Sequence, residues 1–171
     1  MPSFPNPLVP GFHPDPSIVR VDGSYFLVTS TLEYLPGLPV YRSDDLVRWE
    51  HIGNVATRPE QVEVALVGAG MGVWAPTIRH HDGAFHVIVT IAGPRGCVLF
   101  TATDPAGPWS DGLPIEGLTG IDPDLAWDDG TAYVTYSGLD LTGAEIGHQG
   151  IRQVRVDLGT GQATEAPRSL W

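Results

Sequence analysis

Two aspartates of this chain stand in the same local setting. Asp15 lies in His-Pro-Asp-Pro-Ser-Ile (13–18) and Asp122 in Gly-Ile-Asp-Pro-Asp-Leu (120–125), each followed directly by proline. A pair of carboxylates brought to one place has a specific chemical use. Like charges at short range push their pKa values apart, so one stays ionised as a base while the other shapes the field. Hydrolysis of a glycosidic bond with inversion needs a carboxylate that activates water and a carboxylic acid that protonates the leaving oxygen. Taken singly, each aspartate has a simpler role, because Asp caps turns well. The prolines predict a stiff mount with each acid in extended backbone.

What brings the two acids together is a repeat. Asp15-Pro16-Ser17-Ile18 precedes Asp22-Gly23 and the apolar run Ser24–Ser30. Sixty positions on, Ala75-Pro76-Thr77-Ile78 precedes Asp82-Gly83 and the run Ala84–Ile91. The same shift relates Asp44 to Asp104 and Trp49 to Trp109. A third copy, 47 residues after the second, runs from Asp122-Pro123-Asp124-Leu125 to Asp129-Gly130 and then Thr131–Gly138. In every copy the residue before proline lies seven positions ahead of the Asp of Asp-Gly.

Asp-Gly between apolar runs predicts a two-residue hairpin. Each copy therefore opens with a strand, turns, and returns. Further apolar segments, Leu38–Ser43, Cys97–Asp104 and Ile151–Leu158, predict a third strand in each unit, and short segments such as 49–53 and 162–166 a fourth. No stretch of ten or more residues carries a helical period. Four short strands per unit, repeated about every 50–60 residues, predict an all-β fold made of β-propeller blades, with a β-sandwich as the alternative. If the opening strands are innermost, Asp15, Ala75 and Asp122 gather near one mouth of the axis.

Composition narrows the partners. The 171 residues carry a net charge of −11 and no lysine, which disfavours nucleic acid and anionic membranes. The hydrophobic fraction of 42% suits a globular domain. The single Cys97 makes neither an internal disulfide nor a multi-thiolate metal site, and is expected as a small buried apolar group. His13 and the pair His80-His81 are the other metal candidates. Neighbouring strand residues point to opposite faces, so His80 and His81 are expected to pack between or on blades, and no metal is predicted. The glycine-rich stretches lack a nucleotide-binding spacing, and no serine sits in a GxSxG elbow. The N-terminal residues show no secretory pattern and no run long enough to span a membrane; the expected location is cytoplasmic.

Four ordered motifs, in 6–30, 74–85, 101–111 and 120–134, together with 30–53, resemble glycoside hydrolase family 43, its β-xylosidase and α-L-arabinofuranosidase branch above all. The resemblance runs from about Asn6 to Trp171. It implies a five-bladed β-propeller, of which this chain, as one domain over 1–171 with repeats near 15, 75 and 122, covers about the first three blades. It implies inverting hydrolysis of a pentose-containing oligosaccharide derived from xylan or arabinan, β-xylosidase first and α-L-arabinofuranosidase second, with no cofactor. Asp15 would be the general base. Asp122 would tune and orient the general acid. Trp74 would pack against the sugar, whose apolar face suits a large ring. Leu32 stands where the family carries an aromatic, which puts that sugar contact in doubt. The family's acid is a Glu in Glu-Gly-Pro, and none of Glu33, Glu50, Glu60, Glu63, Glu116, Glu145 and Glu165 is followed by Gly-Pro. Some relatives hold a metal near the axis through blades beyond these three. The expectation is thus the front part of such an enzyme, inactive by itself. Two other readings are a non-catalytic carbohydrate-binding propeller and a fructan-active propeller hydrolase. The second expects Asn-Asp-Pro and Arg-Asp-Pro motifs where this chain has His-Pro-Asp-Pro and Ile-Asp-Pro.

Overall fold

The computed structural model describes residues 4, 6–140 and 147–170; Glu145, the residues at the extreme N-terminus and Trp171 lie outside them. The described chain forms three antiparallel sheets. The first holds β1 (Ser17–Val21), β2 (Ser24–Val28), β3 (Gly37–Ser43) and β4 (Glu50–Ala56) in sequence order. A single helical turn, α1 (Pro59–Val62), leads to the second sheet, β5 (Val73–His81), β6 (Ala84–Ile91), β7 (Gly96–Ala102) and β8 (Leu113–Pro114). The third holds β9 (Gly120–Asp128), β10 (Thr131–Asp140), β11 (Gly147–Asp157) and β12 (Gln162–Ala163), and β13 (Arg168–Ser169) also pairs with β11. These are three blades of a partial β-propeller.

Each opening hairpin turns at the Asp-Gly pair. Val21 faces Ser24, His81 faces Ala84 and Asp128 faces Thr131 across the two-residue loops. Asp22, Asp82 and Asp129 have φ of 48°, 48° and 47°, and the glycines after them 90°, 74° and 72°. Positive φ at both central residues is the I′ turn, whose twist matches that of the strands.

The core lies between blades, and strand alternation divides it. Phe85, Val87, Val89 and Ile91 of β6 and Val98 and Phe100 of β7 join Phe26, Val28 and Val40 between blades 1 and 2. Their neighbours Ile88, Cys97 and Leu99 point the other way, against Leu125, Val134, Val154 and Val156 of blade 3. Each fully buried aliphatic or aromatic side chain contributes about 1.5–3 kcal/mol relative to exposure. Blade 2 is thus covered on both faces. Blade 1 leaves Ile18 exposed on its outer face, where the register also places half-buried Leu27 and Tyr41.

The histidines serve this packing. His80 meets Phe85 edge-on at 4.7 Å, while His81 stacks on Trp127 of blade 3 at 4.3 Å and 13°. The two rings therefore face opposite sides of β5. His86 also touches Trp127, and burial lowers its pKa. Cys97 is buried, which pushes its thiol up to about 12. Among the described residues no helix is long and apolar enough to cross a membrane.

Candidate active site

The inner strands β1, β5 and β9 lie side by side, tied at one level. The Ile78 N–H donates to Ser17 Oγ at 3.1 Å, and Arg79 pairs with Asp124 at 2.7 Å. Ser17 and Asp124 each stand two residues beyond the acids Asp15 and Asp122. Ile78 and Arg79 stand three and four beyond Ala75. All three blade openings thus lie at the same end of the inner strands.

The backbone at the two acids is not extended, contrary to the expectation drawn from the prolines. Asp15 has φ +53° and Asp122 φ +54°, whereas Ala75 at the matching position of blade 2 has no positive φ. Asp tolerates this left-handed region better than most residues because its short polar side chain finds local partners. Long-range bonds override the local preference at Asp15. The Ser30 N–H donates to the Pro14 carbonyl at 3.0 Å, and Ser30 Oγ donates to Asp15 Oδ2 at 2.6 Å. Such a conformation costs of order 1–3 kcal/mol, and it persists only where the surroundings over-determine it. Both aspartates are exposed. Beside Asp122, the backbone of Gly120 approaches blade 3's second strand so closely that a Cβ there would lie 2.3 Å from the Ser137 carbonyl oxygen.

Leu32 and Trp74 are brought together. Leu32 and Val73 form an isolated antiparallel bridge with N–H···O bonds of 2.9 Å in both directions, which sets Leu32 against the residue preceding Trp74. Trp74 is half-buried and not part of the blade core. Its indole Nε1 donates to the Gly70 carbonyl at 3.2 Å, while the Gly70 N–H donates to Glu33 Oε2 at 3.1 Å. The loop ahead of Trp74 is therefore clasped at both faces of one peptide-bearing residue. Its base is held by buried Gln61, which accepts from the N–H groups of Thr57 and Arg58 and donates to the carbonyls of Val55 and Ser110. Because Ser30 touches Asp15 and lies two residues before Leu32, base candidate and aromatic belong to one structural unit.

The remaining candidates fall elsewhere. Both ring nitrogens of His13 are engaged, by the Tyr41 hydroxyl at 3.3 Å and the Pro10 carbonyl at 3.2 Å. Glu116 accepts from Gln162 at 2.9 Å on the outermost strand of blade 3, far along the blades from their inner openings. Among the described residues no three His, Cys, Asp or Glu side chains gather as a metal-binding group. Sequence reasoning did not single out Ser30, Glu33 or Gln61. For Ser30 a signal exists: fifteen positions after each pre-proline residue stands a hydroxyl, Ser30, Thr90 or Ser137.

Comparison with known proteins shows the family and the fold. Residues 4–170 match the glycosyl hydrolases family 43, and the chain belongs to that family. It is 47% identical over 135 residues to a non-reducing end α-L-arabinofuranosidase of Bacteroides ovatus, covering 77% of this chain and 25% of that protein. It is 43% identical over 126 residues to a xylosidase/arabinosidase of Butyrivibrio fibrisolvens, covering 72% of this chain and 24% of that one. The crystal structure of a xylan β-1,4-xylosidase from Bacillus halodurans superposes with a TM-score of 0.84 at 32% identity, over 99% of this chain and 34% of that chain. The chain thus spans about a quarter of the length of these curated relatives and about a third of that solved structure.

Proposed function

We propose that these three blades form the base-bearing part of an inverting glycosidase. It removes β-D-xylosyl or α-L-arabinofuranosyl units from oligosaccharides derived from xylan or arabinan. The observation that carries this reading is the matched pair of strained, exposed aspartates at the openings of blades 1 and 3, with neutral Ala75 between them. The names of the relatives support the pentose class. In this reading Asp15 takes a proton from the attacking water, and Asp122 orients the group that protonates the leaving oxygen. Trp74, fixed through its indole N–H, presents its ring to the sugar. The acid itself is not among the glutamates of these 171 residues, so the chain alone turns over no glycoside.

The test is hydrolysis of aryl β-D-xylopyranoside and aryl α-L-arabinofuranoside by the complete gene product, with Asp15→Asn as the variant. Asn is preferred to Ala because it tolerates positive φ, so the substitution removes the base without disturbing the turn. Loss of a general base lowers turnover by about 10²–10⁴-fold. Turnover retained by Asp15→Asn would contradict the assignment. Turnover by the isolated 171-residue chain would contradict the need for a further acid.

A further inference from the structure

We propose that Ser30 is a positioning residue for Asp15, holding its carboxylate in the orientation from which it accepts a proton from water. The inference rests on the reading of Asp15 as the base. The Ser30 Oγ–Asp15 Oδ2 distance of 2.6 Å is that of a hydroxyl donating to an ionised oxygen. Ser30 is fully buried, and its own N–H is bound to the Pro14 carbonyl at 3.0 Å. The donor is therefore anchored just beyond β2, to the residue that precedes the acid it holds, and cannot follow the carboxylate if that group swings. Asp15 is otherwise exposed, so the held carboxylate keeps acceptor capacity toward water.

The repeat shows that this is more than an incidental contact. A hydroxyl stands fifteen residues after the pre-proline position in every blade. In blade 2, where that position is Ala75, the equivalent Thr90 hydroxyl has no acid to hold and reaches the Gly120 carbonyl of blade 3 instead, at a long 3.5 Å. In blade 3, Ser137 pairs in backbone register with Ile121, the neighbour of Asp122. The hydroxyl belongs to the blade plan. Its use on a carboxylate in blade 1 follows from the acid at Asp15.

The experiment compares wild type, Ser30→Ala, Ser30→Thr and Asp15→Asn in two arms. In the first, kcat and KM of the complete gene product are measured on the two aryl pentosides. Ser30→Ala is expected to lower kcat roughly 10- to 100-fold with KM within about twofold, since misplacing a reacting group weakens the transition state and not substrate binding. Ser30→Thr, which keeps the donor, restores most of the loss. A merely structural serine would shift the melting temperature without this split. In the second arm, NMR couplings between Hα and Hβ of Asp15 are measured in the 171-residue chain. One χ1 rotamer is expected in wild type and Ser30→Thr, and rotamer averaging in Ser30→Ala. The proposal is overturned if Asp15→Asn is inactive while Ser30→Ala keeps wild-type kcat, or if Asp15 keeps a single rotamer in Ser30→Ala. If Asp15→Asn stays active, the assignment of the base fails instead, and the rotamer arm still decides whether Ser30 holds the carboxylate.

Discussion

Gly72 offers a severe test of how the loop before Trp74 is built. Its φ is +101°, and a Cβ added there would lie 2.5 Å from the Leu32 carbonyl oxygen, 2.9 Å from the Leu32 carbonyl carbon and 3.1 Å from Val64 Cγ1. That carbonyl is the acceptor for the Val73 N–H at 2.9 Å. Gly72→Ala therefore strains the backbone, at about 1–3 kcal/mol. It overpacks the site, at about 1–3 kcal/mol, and displaces at least one backbone hydrogen bond worth about 1 kcal/mol. The sum is about 3–7 kcal/mol. Gly83→Ala is the control, because Gly83 also has positive φ, +74°, yet nothing lies within 4 Å of the added Cβ. It should cost only the conformational part, about 1–2 kcal/mol. At about 2–4 °C per kcal/mol for a chain of this size, Gly72→Ala should melt several degrees to more than 10 °C below Gly83→Ala. Denaturation followed by tryptophan fluorescence reads both. Equal costs for the two substitutions would refute the claim that the Leu32 bridge is squeezed against Gly72.

Four further outcomes are expected. Trp109→Ala, at a ring only 5% exposed between blades 1 and 2, should destabilise by about 3–5 kcal/mol in a urea titration, while Trp74→Ala should cost far less and weaken pentoside binding measured by calorimetry. Asp124→Asn breaks the ion pair with partly exposed Arg79 and should change stability by less than about 1 kcal/mol in the same titration. Cys97, with its thiol pushed up to about 12, should react with a disulfide reagent at pH 8 at least about 10²-fold more slowly in the folded chain than in denaturant. His86 has its pKa lowered in the folded chain, chiefly by burial. The unfolded state therefore binds more protons below the ordinary histidine value, and stability falls as pH drops through about 6.5. Melts between pH 7.5 and 5 should show this loss, and His86→Gln should reduce it.

The blades were legible because their determinants are local. Asp-Gly specifies an I′ turn through two adjacent residues, and all three turns form as written, at Asp22, Asp82 and Asp129. Alternation along β6 and β7 then assigns each side chain to one blade interface or the other. The backbone of Asp15 departs from the extended geometry its sequence predicts for the converse reason. The proline that follows favours extended geometry, but the bonds that decide come from Ser30, two residues beyond the end of β2. The Glu33–Gly70–Trp74 clasp spans a gap of 37 residues between carboxylate and amide, and no period or spacing encodes it. Trp74 itself could be named from the family resemblance, but not its half-buried setting.

The doubly covered second blade also bears on how the chain folds during synthesis. The first four strands of each sheet form a meander of sequence neighbours, so a blade can pair its strands as soon as it leaves the ribosome. Its side chains cannot dry until the next blade follows. Phe26 and Val28 wait for Phe85, Val87 and Val98, and Ile88 and Leu99 wait for Val134 and Val154. Since domains are made N-terminus first, the nascent chain carries one greasy sheet face forward at every stage. The face passes from blade to blade like a relay baton, and chaperones that bind exposed apolar strands would meet it at each exchange.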